Sequence, residues 1–178
     1  ADILELITDT WGKIGIKVLS KPLHREIMRN RIFSGNALMS MWSGLENGIP
    51  NGATSPAELA PISQQQLQWS KWGQYHETSG KTGKPIDMPI PRKLFDLTTA
   101  WREAGSSEAR EAIWHQMLDL YTNNVFSIGI VSSVPQVILA SRNLRNIPDK
   151  AIYNWDPGAH FGIYRPDTFW FDRSKKKS

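Results

Sequence analysis

The chain has 178 residues, 40% of them apolar, with eight Trp, six Phe and four Tyr. That is the length of one domain or of a substantial piece of a larger one, and so much aromatic surface excludes a disordered tail. The net charge of +4 sets 21 basic against 17 acidic side chains, and four of the positive charges sit in the tail Arg173-Ser174-Lys175-Lys176-Lys177. The rest of the chain is close to neutral, so no nucleic-acid partner is expected, because phosphate tracking needs a stripe of Lys and Arg on the folded body.

The chain has no cysteine, which excludes disulfides and Cys-ligated metal sites. Its longest apolar region, residues 125–140, is interrupted by Ser127, Gly129, Ser132, Ser133, Pro135 and Gln136. No run reaches the roughly 20 apolar residues that cross a bilayer, so direct membrane insertion is not expected. The chain opens on Ala1 and enters a helical pattern at once, with Ile3, Leu4, Leu6, Ile7 and Trp11 at helical spacing. We expect it to be a fragment of a longer polypeptide or a processed chain.

Residues 2–12 read as an amphipathic helix ended by Gly12 or Gly15. Ile14-Gly-Ile-Lys-Val-Leu19 reads as a strand. A second helix runs from Pro22 to about Phe33, stopped by Gly35, and residues 37–42 read as a second strand. Helix–strand–helix–strand alternation is the pattern of an α/β layer with parallel neighbours. Residues 43–61 form a long loop rich in Gly and Pro. A helix is expected over residues 63–75, with Leu67, Trp69, Trp72 and Tyr75. Gly80, Gly83, Pro85, Pro89 and Pro91 then punctuate another loop.

Pro91 stands near the first turn of a helix whose face is Leu94, Phe95, Leu97, Thr98 and Trp101, ending at Gly105. Ser106 or Ser107 caps the next helix, with Glu108 and Glu111 in its early turns and a stripe of Ala109, Ile113, Trp114, Met117, Leu120 and Tyr121. Asn123 and Asn124 end it. Residues 126–132 and 136–140 read as two further strands, antiparallel neighbours across a turn at residues 133–135. Residues 153–158 are turn-rich, and residues 161–171 are aromatic and semi-extended.

The four histidines form no HxxxH or HExxH pair, so no metal is expected. Gly80-Lys-Thr-Gly83-Lys84 lacks the spacing of a phosphate-binding loop and reads as a flexible turn. No nucleophile elbow or dinucleotide fingerprint occurs, and no cofactor is expected. Trp11, Trp101 and Trp114 read as core. Trp69, Trp72 and Tyr75 read more as packing residues than as ligand contacts. Trp42 is placed differently, where a strand runs into the Gly/Pro loop beside Ser40, Ser43, Glu46 and Asn47. Ligands of open α/β sheets bind at the carboxyl ends of strands, where an indole supplies a flat wall and its neighbours supply polar contacts.

Several runs together resemble the oligopeptide/dipeptide/nickel class (family 5) of extracellular solute-binding proteins, the capture subunits of bacterial ABC importers. They are Leu6-Ile-Thr-Asp-Thr-Trp-Gly-Lys-Ile-Gly-Ile-Lys-Val, Ala37-Leu-Met-Ser-Met-Trp42-Ser-Gly, the helix 106–124 with the Val125-Phe-Ser-Ile-Gly-Ile that follows, Leu144-Arg-Asn-Ile-Pro148, and Tyr153-Asn-Trp-Asp-Pro. The resemblance spans nearly the whole chain in the family's order. It implies an α/β, periplasmic-binding-protein-like lobe, a mixed sheet flanked by helices, as a fragment of a two-lobed protein. Residues 1–150 would form most of the second lobe, with an insertion around residues 63–91. Residues 151–178 would return towards the first lobe and end in the basic tail 173–178.

The implied function is capture of a peptide or related small solute by closure of two lobes, without catalysis, for the membrane permease of an ABC importer. That implies a periplasmic or extracytoplasmic location. The ligand residues read from this chain are Trp42 as wall, Ser40, Glu46 and Asn47 as polar contacts, and Ser132 and Ser133 at the end of a strand. The family's acidic anchor for a peptide amino terminus has Glu46 as its nearest counterpart. Two alternatives stand beside this reading: a small hydrolase using Glu46 and Asp156, and an interaction module docking through residues 161–171. A homodimer by exchange of the C-terminal segment is also expected of a fragment.

Overall fold

The computed structural model describes residues 2–42, 55–131, 135, 137–151 and 164–174. Among the described residues there are five α-helices: α1 (Asp2–Gly12), α2 (Arg25–Phe33), α3 (Ser70–Glu77), α4 (Pro89–Glu103) and α5 (Ser107–Asn123). Two short strands, β1 (Leu144–Arg145) and β2 (Trp170–Phe171), pair antiparallel with Leu144 opposite Phe171 and Arg145 opposite Trp170. The fold is thus helix-rich with a small two-stranded sheet, a mixed α/β composition.

The core lies between residues 55 and 126. Leu59, Ala60, Trp69, Leu94, Trp114 and Met117 form one buried cluster, with Leu97, Trp101, Ile113, Leu120 and Phe126 among the residues packed around it. α4 and α5 supply most of it, as an antiparallel pair joined by a tight connection at residues 104–106. Pro89 and Pro91 lie in the first turn of α4, where a missing N–H costs nothing. At the head of α5 the Ser106 side chain accepts the Ala109 N–H at 3.1 Å, satisfying one of the helix's orphan donors. Thr98 is buried and donates its hydroxyl to the Leu94 carbonyl at 3.0 Å, so its polar atom is satisfied inside the apolar face. Arg110 lies over the Trp101 ring at 5.3 Å and ties the outer edges of the two helices together.

The turn after α5 aims an aromatic ring inward. Asn124 closes the helix on the Leu120 carbonyl, and Val125 takes a left-handed φ of 50°. A β-branched residue reaches that conformation only at a cost of about 1–2 kcal/mol, so the contacts it enables must offset it. Phe126 then packs edge-on against Trp69 at 5.1 Å and Tyr121 at 5.6 Å, a geometry favoured by ring quadrupoles. Residue 126 therefore closes the helical core and does not begin a strand.

Residues 64–69 form turns where a helix is expected, and two side chains bind the backbone donors that precede them. Gln66 Oε1 accepts the N–H groups of Ile62 and Ser63, at 2.9 and 3.0 Å. Glu77 accepts the Ser63 hydroxyl at 2.7 Å and the Gln64 N–H at 2.9 Å. This brings the Ser63 carbonyl against Gly73, where an added Cβ would lie only 2.0 Å from it. Glycine is required at that crossing.

The strands expected at residues 14–19, 37–42, 126–132 and 136–140 are not formed among the described residues, and the parallel layer they implied is not seen; the sheet present is the antiparallel β1–β2 pair. The reason is the absence of partners. A strand is stable as a member of a ladder with one face covered, and these runs have β-type composition without a neighbour to pair with. Leu19 is 81% exposed, Leu38 100% and Leu139 93%. α1 likewise buries no residue, so Trp11 is only half-buried and not the core residue expected.

β1 and β2 are held by more than their ladder. Arg145 Nη2 lies 3.0 Å from Asp172 Oδ2, and the Asp172 N–H donates to the Asn143 carbonyl at 2.8 Å. Asn146, at a left-handed φ of 64°, donates to the Thr168 hydroxyl at 2.8 Å. No helix among the described residues is long and apolar enough to cross a membrane.

Candidate ligand cleft

Of the residues read from sequence as ligand contacts, the structure describes Trp42 and Ser40. Both are exposed, and residues 37–42 do not form the strand whose carboxyl end was to present them. The Trp42 ring is covered on one side by the Arg25 guanidinium at 5.3 Å. Glu46, Asn47, Ser132 and Ser133 lie outside the described residues, as does Asp156 of the hydrolase alternative.

A concave site is found elsewhere. The last turns of α3 place Trp72, Tyr75 and His76 on one face, at the i, i+3, i+4 spacing that brings side chains together. α4 presents Arg92 and Phe95 opposite them, with Ile86 between and the Ser79–Gly80 turn closing one end. The cleft has a volume of about 330 Å³ and is open to solvent on one side. His76 meets Phe95 edge-on at 4.8 Å, and the Arg92 guanidinium lies over the Phe95 ring at 5.7 Å. One Arg92 N–H reaches the Ile86 carbonyl at 3.3 Å.

The turn at the rim is tied down, in contrast to the flexible turn expected for Gly80-Lys-Thr-Gly83. The Thr78 hydroxyl oxygen lies 2.8 Å from the Gln74 carbonyl and accepts the Thr82 N–H at 3.0 Å. The Lys84 N–H donates to the Lys71 carbonyl at 3.0 Å. Gly80 has a φ of 83°, and its missing Cβ would stand 3.3 Å from the Tyr75 ring, so the turn lies flat against that ring. These bonds pre-form the cleft without a ligand.

Among the described residues no carboxylate and no serine–histidine–acid arrangement lines the cleft. With aromatic walls and the Arg92 guanidinium, it can stack flat groups and bind an anion. Among the described residues no cluster of three or more His, Asp or Glu could hold a metal ion.

Trp69 packs in the core and Trp72 packs against it, as read from sequence; Trp72 also lines the cleft, with Tyr75. His76, Arg92 and Phe95 were not singled out as ligand residues. The available signal was the pairing of two short helical spacings, 72–75–76 and 92–95, on either side of a Gly/Pro-rich connection. Compared with known proteins, the chain matches no family model, no curated protein and no solved structure.

Proposed function

We propose that this chain is the ligand-binding lobe of a two-lobed capture protein, which grips a peptide or related small solute without altering it and presents it to an importer's permease outside the cytoplasm. The observation that supports this reading is the uncovered apolar surface of the extended segments. Ile14, Ile16 and Leu19, then Leu38, Met39 and Met41, then Ile128, Ile130 and Val131, and finally Val137, Ile138 and Leu139 are all exposed. Four separate runs with the composition of sheet interior would cost the folded chain heavily if water were their permanent neighbour.

A mixed sheet shared with further polypeptide would pair these runs and give the periplasmic-binding-protein-like lobe that the sequence resembles. It would also set Trp42 at a strand end, with Glu46 and Asn47 beyond it, facing the solute. Affinity would then come from enclosure between two lobes, most of which this chain lacks.

Isothermal titration of the isolated chain against mixed di- to pentapeptides tests the reading. Weak or undetectable binding is expected, with tighter binding by the polypeptide produced from the complete reading frame. Sub-micromolar affinity of the isolated chain, or turnover of a substrate by it, contradicts the proposal.

A further inference from the structure

We propose that the cleft between the end of α3 and the first turns of α4 binds a small ligand that joins one flat ring to an anionic group. The ring would lie among Trp72, Tyr75 and Phe95, and the anion on Arg92. The cleft is assembled wholly from residues 72–95, so this inference is independent of a second lobe.

Three observations select the ligand class. The walls are aromatic, so they offer broad apolar faces to a planar group. The volume of about 330 Å³ is at the lower end of small-molecule sites, which favours one ring system over an oligosaccharide or a nucleotide. Among the described residues the one permanent charge in the lining is Arg92, with no carboxylate lining the cleft beside it.

That last point decides the sign. An aromatic cage for a cation needs ring faces free of positive charge, and here the guanidinium already occupies the Phe95 face. The Arg92 side chain spends one N–H on the Ile86 carbonyl and makes no other hydrogen bond among the described residues. Its remaining fork suits a carboxylate or a phosphate, both of which it can hold through two parallel bonds. The stack on Phe95 and the bond to Ile86 hold the fork in place before a ligand arrives, which lowers the entropy lost on binding.

The test follows the indole N–H resonance of Trp72 by ¹⁵N NMR, identified by its loss in Trp72→Phe. Benzoate and phenyl phosphate are titrated beside benzyl alcohol, benzylamine, acetate and inorganic phosphate. The two aryl anions should shift the resonance saturably and bind about tenfold tighter than benzyl alcohol, the usual scale of one charge-assisted contact. The tighter of the two identifies the anion. Arg92→Gln, at an exposed position of α4, should reduce aryl-anion affinity to that of benzyl alcohol, with Arg92→Lys intermediate and circular dichroism unchanged in both. The proposal is overturned if Trp72 does not respond, if benzylamine or the ring-free anions bind as tightly, or if Arg92→Gln binds as wild type does.

Discussion

Leu94→Ala is the sharpest probe of where the stability of this chain resides. Leu94 is completely buried in the face of α4 that meets Trp114 and Met117. The substitution removes three methyl or methylene equivalents, about 2.4 kcal/mol at 0.8 kcal/mol each. The residual cavity raises the cost to about 3–4 kcal/mol, against which alanine's better helix propensity returns only a few tenths. A body of this size is worth about 4–10 kcal/mol in all, so the variant should lose a third or more of its stability. Urea unfolding followed by tryptophan fluorescence reads this directly, since Trp69 and Trp114 belong to the same cluster. Leu139→Ala, at a side chain 93% exposed, should shift the same curve by no more than about 0.5 kcal/mol. A loss below about 1 kcal/mol for Leu94→Ala, or equal losses for the two variants, would refute the placement of the core.

Gly73→Ala should destabilise by about 2–3 kcal/mol despite alanine's helix preference, because the new Cβ meets a Ser63 carbonyl that Glu77 and Gln66 hold in place; an unchanged or raised melting temperature contradicts this. The Ser174 hydroxyl, the Ser174 N–H and the Arg145 guanidinium hold the Asp172 carboxyl below its usual range. A lowered carboxylate pKa means that the stabilisation is complete above the unfolded value, about 3.9, and is lost as pH falls through the folded one. An NMR titration should therefore show the β1–β2 contacts loosening at a pH below the ordinary carboxylate range. Ser174→Ala should raise the Asp172 midpoint part of the way, because the residue-174 N–H and Arg145 still act on the carboxyl, and a midpoint insensitive to Ser174 refutes the assignment.

The helices were legible because their signals are local. Ser106 as a cap, the prolines at the head of α4 and the stripe of Trp114 and Met117 all act within a few residues, and α4 and α5 form where these features place them. α2 begins at Arg25 and not at Pro22, since His24 holds an extended backbone. α3 starts at Ser70, and the turns before it are held by Gln66 and by Glu77, whose distance in sequence hides the contact. The strands failed for a more general reason. Residues 14–19 or 137–140 show β character in sequence, but a ladder depends on a partner that composition does not supply. The cleft was half legible. Trp72 and Tyr75 stood out as aromatics, whereas Arg92 gained significance only when Phe95 and Ile86 were found beneath it.

The proposal of a shared sheet is tested most directly by hydrogen–deuterium exchange at residues 16–19, 37–42, 128–131 and 137–140. In the isolated chain these amides should exchange almost as fast as in an unfolded peptide, while those of α4 and α5 are protected. In the polypeptide produced from the complete reading frame the same four segments should become protected together. Exchange that stays fast there, or a reading frame that encodes no further lobe, would contradict the account.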